Sequence, residues 1–287
     1  MLVAYVAAFL LTLGADTALV LSVGLARSSG HLQGAVGAAQ AFGLSAPGLM
    51  AQATMNAVLF VSVATIGARS YGGPTADRLG LRPTGASALG VMAAVTGMVG
   101  LSVTCGASLD WAGVRGGGVM DAIASGLHAL VPARLALAVA TLGLAPGVGE
   151  ELLFRGLIQT QLARRWGRWP AIGTASLAFG LIHVDPVQGS LAFVAGLFLG
   201  WVADRFGGVR PTILAHAVNN ALFVVAASVG TARAPSRTIA GFAIAVGCAV
   251  WLASLAVLRT SASVRTQPGN PGSSREGGRR SRSSARE

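Results

Sequence analysis

Apolar runs of about 20 residues recur along the chain as far as residue 258, and a helix of that length is what crosses a hydrocarbon core about 30 Å thick. Among the 287 residues 53% are hydrophobic and 11% charged, where a soluble domain carries about a quarter charged residues. Mean hydropathy is +0.66. Aromatic residues are 6% of the chain and no segment alternates apolar with polar positions, which argues against a transmembrane barrel. The reading is an all-α, polytopic transmembrane bundle of about eight spans. Forty glycines suit helices that approach closely through small faces.

The spans are expected at about 2–25, 46–67, 84–105, 133–163, 170–184, 188–204, 211–229 and 238–258. The first is read as a membrane helix and not a cleaved signal, because no basic region precedes it. Residues 31–44 are moderately apolar and suit an interfacial stretch, and "DWAGVRGGGVMD" (110–121) is a glycine-rich loop. Three parts follow: N-terminal helices and loop over 1–127, a membrane core over 128–258, and an arginine-rich tail over 259–287. Ser, Gly and Arg dominate that tail, so it is expected to be disordered and to lie near anionic lipid.

The net charge of +11 comes from arginine alone, since the chain has no lysine, and seven arginines fall within the last 29 residues. The others lie mostly between apolar runs, where they set topology, so no nucleic-acid partner is expected. Alternate loops collect fifteen arginines on one face and five on the other. The excess marks the cytoplasmic side, placing both termini in the cytoplasm of a plasma-membrane protein. Cys105 and Cys248, both in apolar surroundings, make no disulfide framework.

Against this background three polar islands stand out. In "GVGEELLFRGL" Glu151 and Arg155 are i,i+4 and can pair, whereas Glu150 is turned by about 100° and cannot share that pairing equally. An ionisable group in hydrocarbon costs roughly 2.5–3.5 kcal/mol, so these three face protein or water. In "LAFGLIHVDP" Phe179 and His183 are i,i+4, and the ring can wall one side of the imidazole. In "ILAHAVNNALF" His216 and Asn220 share a face, and Asn219 points elsewhere. Each island alone can be helix-to-helix glue. Brought together, they form a polar chamber with a carboxylate, histidines and hydrogen-bond donors, the equipment for activating water against an amide.

"EELLFR", "FGLIH" and "HAVNN" follow the order EExxxR, FxxxH, HxxxN on successive apolar helices. This resembles the CPBP family: the CAAX prenyl protease type II and bacteriocin-processing proteins, also called the Abi family. The resemblance covers about residues 130–225 and extends to the "RLGLRP" loop. It implies an intramembrane endopeptidase with a cavity open towards the cytoplasm. Glu150 and His183 would activate the attacking water. His216 and Asn220 would stabilise the oxyanion or help bind a metal, and Glu151, Arg155 and Phe179 would shape the site. The alternative within the same family is a non-proteolytic scaffold or bacteriocin-immunity protein.

Glu150, His183 and His216 offer the two histidines and one carboxylate that suit zinc, but HExxH is absent and a metal-free glutamate mechanism also fits. The expected partners are the lipid bilayer and a peptide or membrane-anchored protein substrate. One mismatch follows from helix rise. His216 lies about 8 Å from the start of its helix and His183 about 20 Å from the start of its own, so they meet only if a helix boundary or tilt differs from this reading.

Overall fold

A computed structural model describes residues 2–28, 31–114, 119–230 and 235–261. Tail residues 262–287, expected to be disordered, lie outside the described residues, as do residues 115–118 of the glycine-rich loop. The described residues form helices and no strand: α1 (Leu2–Arg27), α2 (Leu32–Gly43), α3 (Ala46–Arg69), α4 (Thr75–Arg78), α5 (Ala88–Ala112), α6 (Val119–Leu127), α7 (Pro132–Trp166), α8 (Arg168–Leu181), α9 (Pro186–Phe206), α10 (Arg210–Val229) and α11 (Arg237–Thr260). Seven of them, α1, α3, α5, α7, α9, α10 and α11, are long and apolar enough to cross a membrane. α8, at 14 residues, spans only about 21 Å. The chain is an all-α polytopic bundle. Residues 31–44, expected to be interfacial, contain the helix α2, and α6 begins at Val119, inside the loop expected to run to residue 121.

Helix ends follow local chemistry. Ser45, Ser87, Ser236 and Asp185 accept N–H groups at the starts of α3, α5, α11 and α9, meeting donors that have no partner within the helix. α9 stops at Gly207, whose φ of +68° is cheap only for glycine.

α7 carries the structure. At 35 residues it is about 52 Å long, yet Pro146 sits inside it and has no N–H to give. The helix adapts by widening: Val139–Leu144 forms π-helical turns, and the Ala145 N–H bonds back to the Ala140 carbonyl. A second π-helical stretch covers Leu152–Gln159. Small residues let α7 press between α10 and α3. A Cβ on Gly147 would stand 2.9 Å from the Ala217 Cα, and one on Gly149 would stand 3.0 Å from the Ala57 Cα. α5 meets α11 in the same way, through Gly100 and Gly247, with the Thr96 and Ser254 hydroxyls 3.0 Å apart. Asn56 of α3 donates to Asp16 of α1 at 3.0 Å, a polar pin between two otherwise apolar spans.

Because the Gly147–Ala217 contact sets the spacing between α7 and α10, Gly147→Val is expected to cost about 1–3 kcal/mol through overpacking. The check is a lower melting temperature of the detergent-purified protein.

Candidate active site

The three polar islands meet. On α7, Glu151 is fully buried and Arg155 is 2% exposed, with Nη1 of the guanidinium 2.6 Å from Glu151 Oε1. The guanidinium also lies over the Phe179 ring of α8, 4.5 Å from its centroid, a favourable placement for a desolvated cation. Phe179 is the hub of the site. Its ring meets His183 edge-on at 5.1 Å and His216 of α10 at 5.8 Å between centroids, so one aromatic ring spaces both imidazoles.

Hydrogen bonds fix the tautomers. His183 Nδ1 is 2.9 Å from the Phe179 carbonyl, and a carbonyl only accepts, so Nδ1 carries the hydrogen. Nε2 of His183 is then left with its lone pair when the ring is neutral. His216 Nδ1 is 2.9 Å from Glu151 Oε1 and is assigned as the donor on the same ground. Its Nε2 lies 3.5 Å from Glu150 Oε2, at the outer limit of a hydrogen bond. The two glutamates therefore separate. Glu151 takes Arg155 and His216 through one oxygen, while Glu150 reaches the imidazole edge and keeps 15% of its side chain exposed.

Glu150, Phe179, His183, His216 and Asn220 all line one cleft of about 580 Å3. Asn219, Gln188 and Ser102 of α5 also bring polar side chains to it. Asn219, expected to point elsewhere, borders the cleft beside Asn220: the opening spans the roughly 100° between consecutive helical residues. Gln188 was not singled out at all. It lies one turn into α9, where Asp185 caps its N–H at 2.7 Å and Pro186 starts the helix. Those two residues were legible signals of a helix beginning close behind His183. Apart from Ser102 the remaining lining, including Met98, Leu101 and Cys105 of α5, is largely apolar.

The depth mismatch is resolved at the start of α10. The turn between α9 and α10 is exposed at Gly207 and Arg210 and buried at Gly208 and Val209, where it packs against the 78–83 loop. Val209 and Leu79 are each 2% exposed, and the Val209 N–H donates to the Gly80 carbonyl at 3.0 Å. Gly80 itself has φ +65°, and a Cβ on Gly208 would stand 2.7 Å from the Gly80 oxygen. The "RLGLRP" loop is thus wedged against this turn and sets where His216 begins its rise.

The lining of the cleft runs in one direction along the bundle. From Glu150 and His216 its lining runs to Leu49 near the start of α3, Leu127 at the end of α6, Gln188 at the start of α9 and Ala226 near the end of α10. The arginines at 69, 164, 165, 205, 210 and 259 sit at the other ends of α3, α7, α9 and α10 and at the end of α11. The cleft thus extends into the arginine-poor half. Cytoplasmic termini and a cytoplasmic opening, expected together from the sequence, therefore pull against each other.

The donor chemistry suits a metal, with two free imidazole Nε2 atoms and a carboxylate. Convergence does not: among the described residues no three His, Cys, Asp or Glu side chains lie close enough together to hold an ion.

Residues 132–222 match the family model described as type II CAAX prenyl endopeptidase Rce1-like. This segment is similar to that family. It runs from the start of α7 into α10 and contains Glu150, Glu151, Arg155, Phe179, His183, His216 and Asn220, in agreement with the resemblance carried by the three motifs. No curated protein and no solved structure matches the chain.

Removing one member of a buried ion pair leaves the other charge uncompensated, at a cost of about 3–5 kcal/mol. Within the Rce1-like segment, Arg155→Met is therefore expected to destabilise the fold more than the double change Glu151→Leu/Arg155→Met, as compared by thermal unfolding in detergent.

Proposed function

We propose that the chain is an intramembrane endopeptidase that hydrolyses a peptide bond with water activated by Glu150 and His183. One observation carries the reading. Two adjacent carboxylates have opposite surroundings, Glu151 locked to Arg155 and His216, and Glu150 free at the cleft. Environments that separate neighbouring carboxyl groups in this way divide structural from acid–base work.

In the proposed reaction a water molecule donates one hydrogen bond to the His183 Nε2 lone pair and gives its other proton to Glu150. The hydroxide adds to the substrate carbonyl carbon. The Asn220 amide N–H stabilises the oxyanion, as does His216 when its Nε2 carries a proton. Glu150 then passes its proton to the departing nitrogen as the C–N bond breaks. Glu151 and Arg155 hold His216 in register, and Phe179 spaces the two rings. The substrate is a peptide or a membrane-anchored protein, and the apolar reach of the cleft suits a segment delivered from the bilayer.

The protein is placed in the plasma membrane, and the arginine distribution supports both termini in the cytoplasm, so the apolar end of the cleft points away from the cytoplasm. A fluorescent protein fused after Glu287 is expected to fluoresce in intact cells. A dark, correctly inserted fusion would reverse the topology and restore a cytoplasmic opening.

The reaction is tested with purified protein, Glu150→Gln and His183→Ala against a mixed peptide library, with cleavage read by mass spectrometry before and after chelation. Cleavage by wild type is expected to fall by at least about 100-fold in each variant, and chelator sensitivity would bring zinc at Glu150, His183 and His216 back into the mechanism. Equal cleavage by all three proteins would sink the proposal. Stable variants with an unchanged cellular phenotype would favour the scaffold or immunity reading.

A further inference from the structure

His183 is followed at once by a backbone conformation that valine disfavours. Val184 has φ +62°, in the left-handed region where a β-branched residue is an outlier. The Asp185 N–H donates to the His183 carbonyl at 2.6 Å and closes a three-residue turn around Val184. Such a turn is rare and strained when its central φ is positive. The left-handed positions at the ends of α5 and α9 are held by glycine, Gly113 and Gly207. Val184 is 71% exposed, so burial of its side chain does not offset the strain.

The conformation persists because both sides of the turn are fixed. On one side the His183 N–H donates to the Gly180 carbonyl at 3.2 Å, and Nδ1 to the Phe179 carbonyl at 2.9 Å. On the other, Asp185 accepts twice at 2.7 Å: Oδ1 from the Gln188 N–H, and the carbonyl from the Gly189 N–H. α8 and α9 touch just behind the turn. A Cβ on Gly180 would stand 2.7 Å from the Gly189 oxygen, and one on Gly189 would stand 2.8 Å from the Gly180 oxygen. Glycine at 184 would remove the strain, but glycine ranges over both signs of φ. The left-handed well open to valine is small, so a valine between two fixed ends leaves the His183 backbone a single setting.

We propose that Val184 is a positioning residue of this site, its strained left-handed turn holding His183 in place on the wall of the cleft. The inference rests on the reading of the cleft as an active site. Val184 is not part of the cleft lining and acts only through His183.

The test compares Val184→Gly, which releases the strain, with Val184→Ile, which keeps it. Full-length protein in detergent is followed by melting temperature, histidine nitrogen NMR and cleavage of the peptide library. The chain has four histidines, and the His183 signal is the one lost in His183→Ala. In wild type it is expected as one species with the hydrogen on Nδ1. Val184→Gly is expected to melt roughly 2–4 °C higher, to show a second His183 species, and to cleave about tenfold more slowly. Val184→Ile should match wild type in all three. A glycine variant that melts no higher than wild type, or does not fold, would overturn the inference, because no strain was then released. An unchanged His183 signal would overturn it too, as would unchanged cleavage by an active chain. Melting and NMR need no substrate. A chain that cleaves nothing would therefore defeat the proposed reaction, and these two readouts would still decide whether Val184 holds His183.

Discussion

A carboxylate with no exposed surface holds this site together. Glu151 binds Arg155 on its own helix and His216 on α10, and Arg155 in turn lies over Phe179 of α8. Three helices are thus joined through one buried anion. Such a group is stable only while its partners remain in place, because an unpaired charge in an apolar interior is far more expensive than a paired one. The consequence for chemistry is geometric: with Glu151 occupied, Glu150 one residue away is free to face the cleft.

That arrangement needs backbones at close range. Lipid offers helices no hydrophobic reason to associate, so contact depends on packing and on polar links between them. Glycines at 143, 147 and 149 let α7 lie directly against α10 and α3. The π-helical turns before Pro146 absorb the missing donor without breaking the helix, and they fall next to the site, where such irregular turns are often found. The glycines of the 78–83 loop and of the α9–α10 turn perform the same service at the base of α10.

Much of the site was legible because it is local. Three i,i+4 pairs, Glu151 with Arg155, Phe179 with His183, and His216 with Asn220, follow from helix periodicity once each segment is known to be helical. The isolation of these groups in otherwise apolar spans marked them without any structure. Asn219 borders the cleft although it is turned from Asn220, because a rule about which residues share a face says nothing of how wide the cleft is. Gln188 was missed because it belongs to no spaced pair.

The sequence by itself determined the class of molecule, the approximate spans and the pairings within each helix, since these depend on hydropathy and on a fixed rise and turn per residue. Only the tertiary structure decided how far one helix is displaced along another. The depth of His216, its place across Phe179 from His183, and the extension of the cleft into the arginine-poor half all depend on contacts between distant residues, above all Gly147 against Ala217 and Gly80 with Val209. Periodicity fixes where a side chain points around its own axis. It does not fix how high that axis stands beside its neighbour.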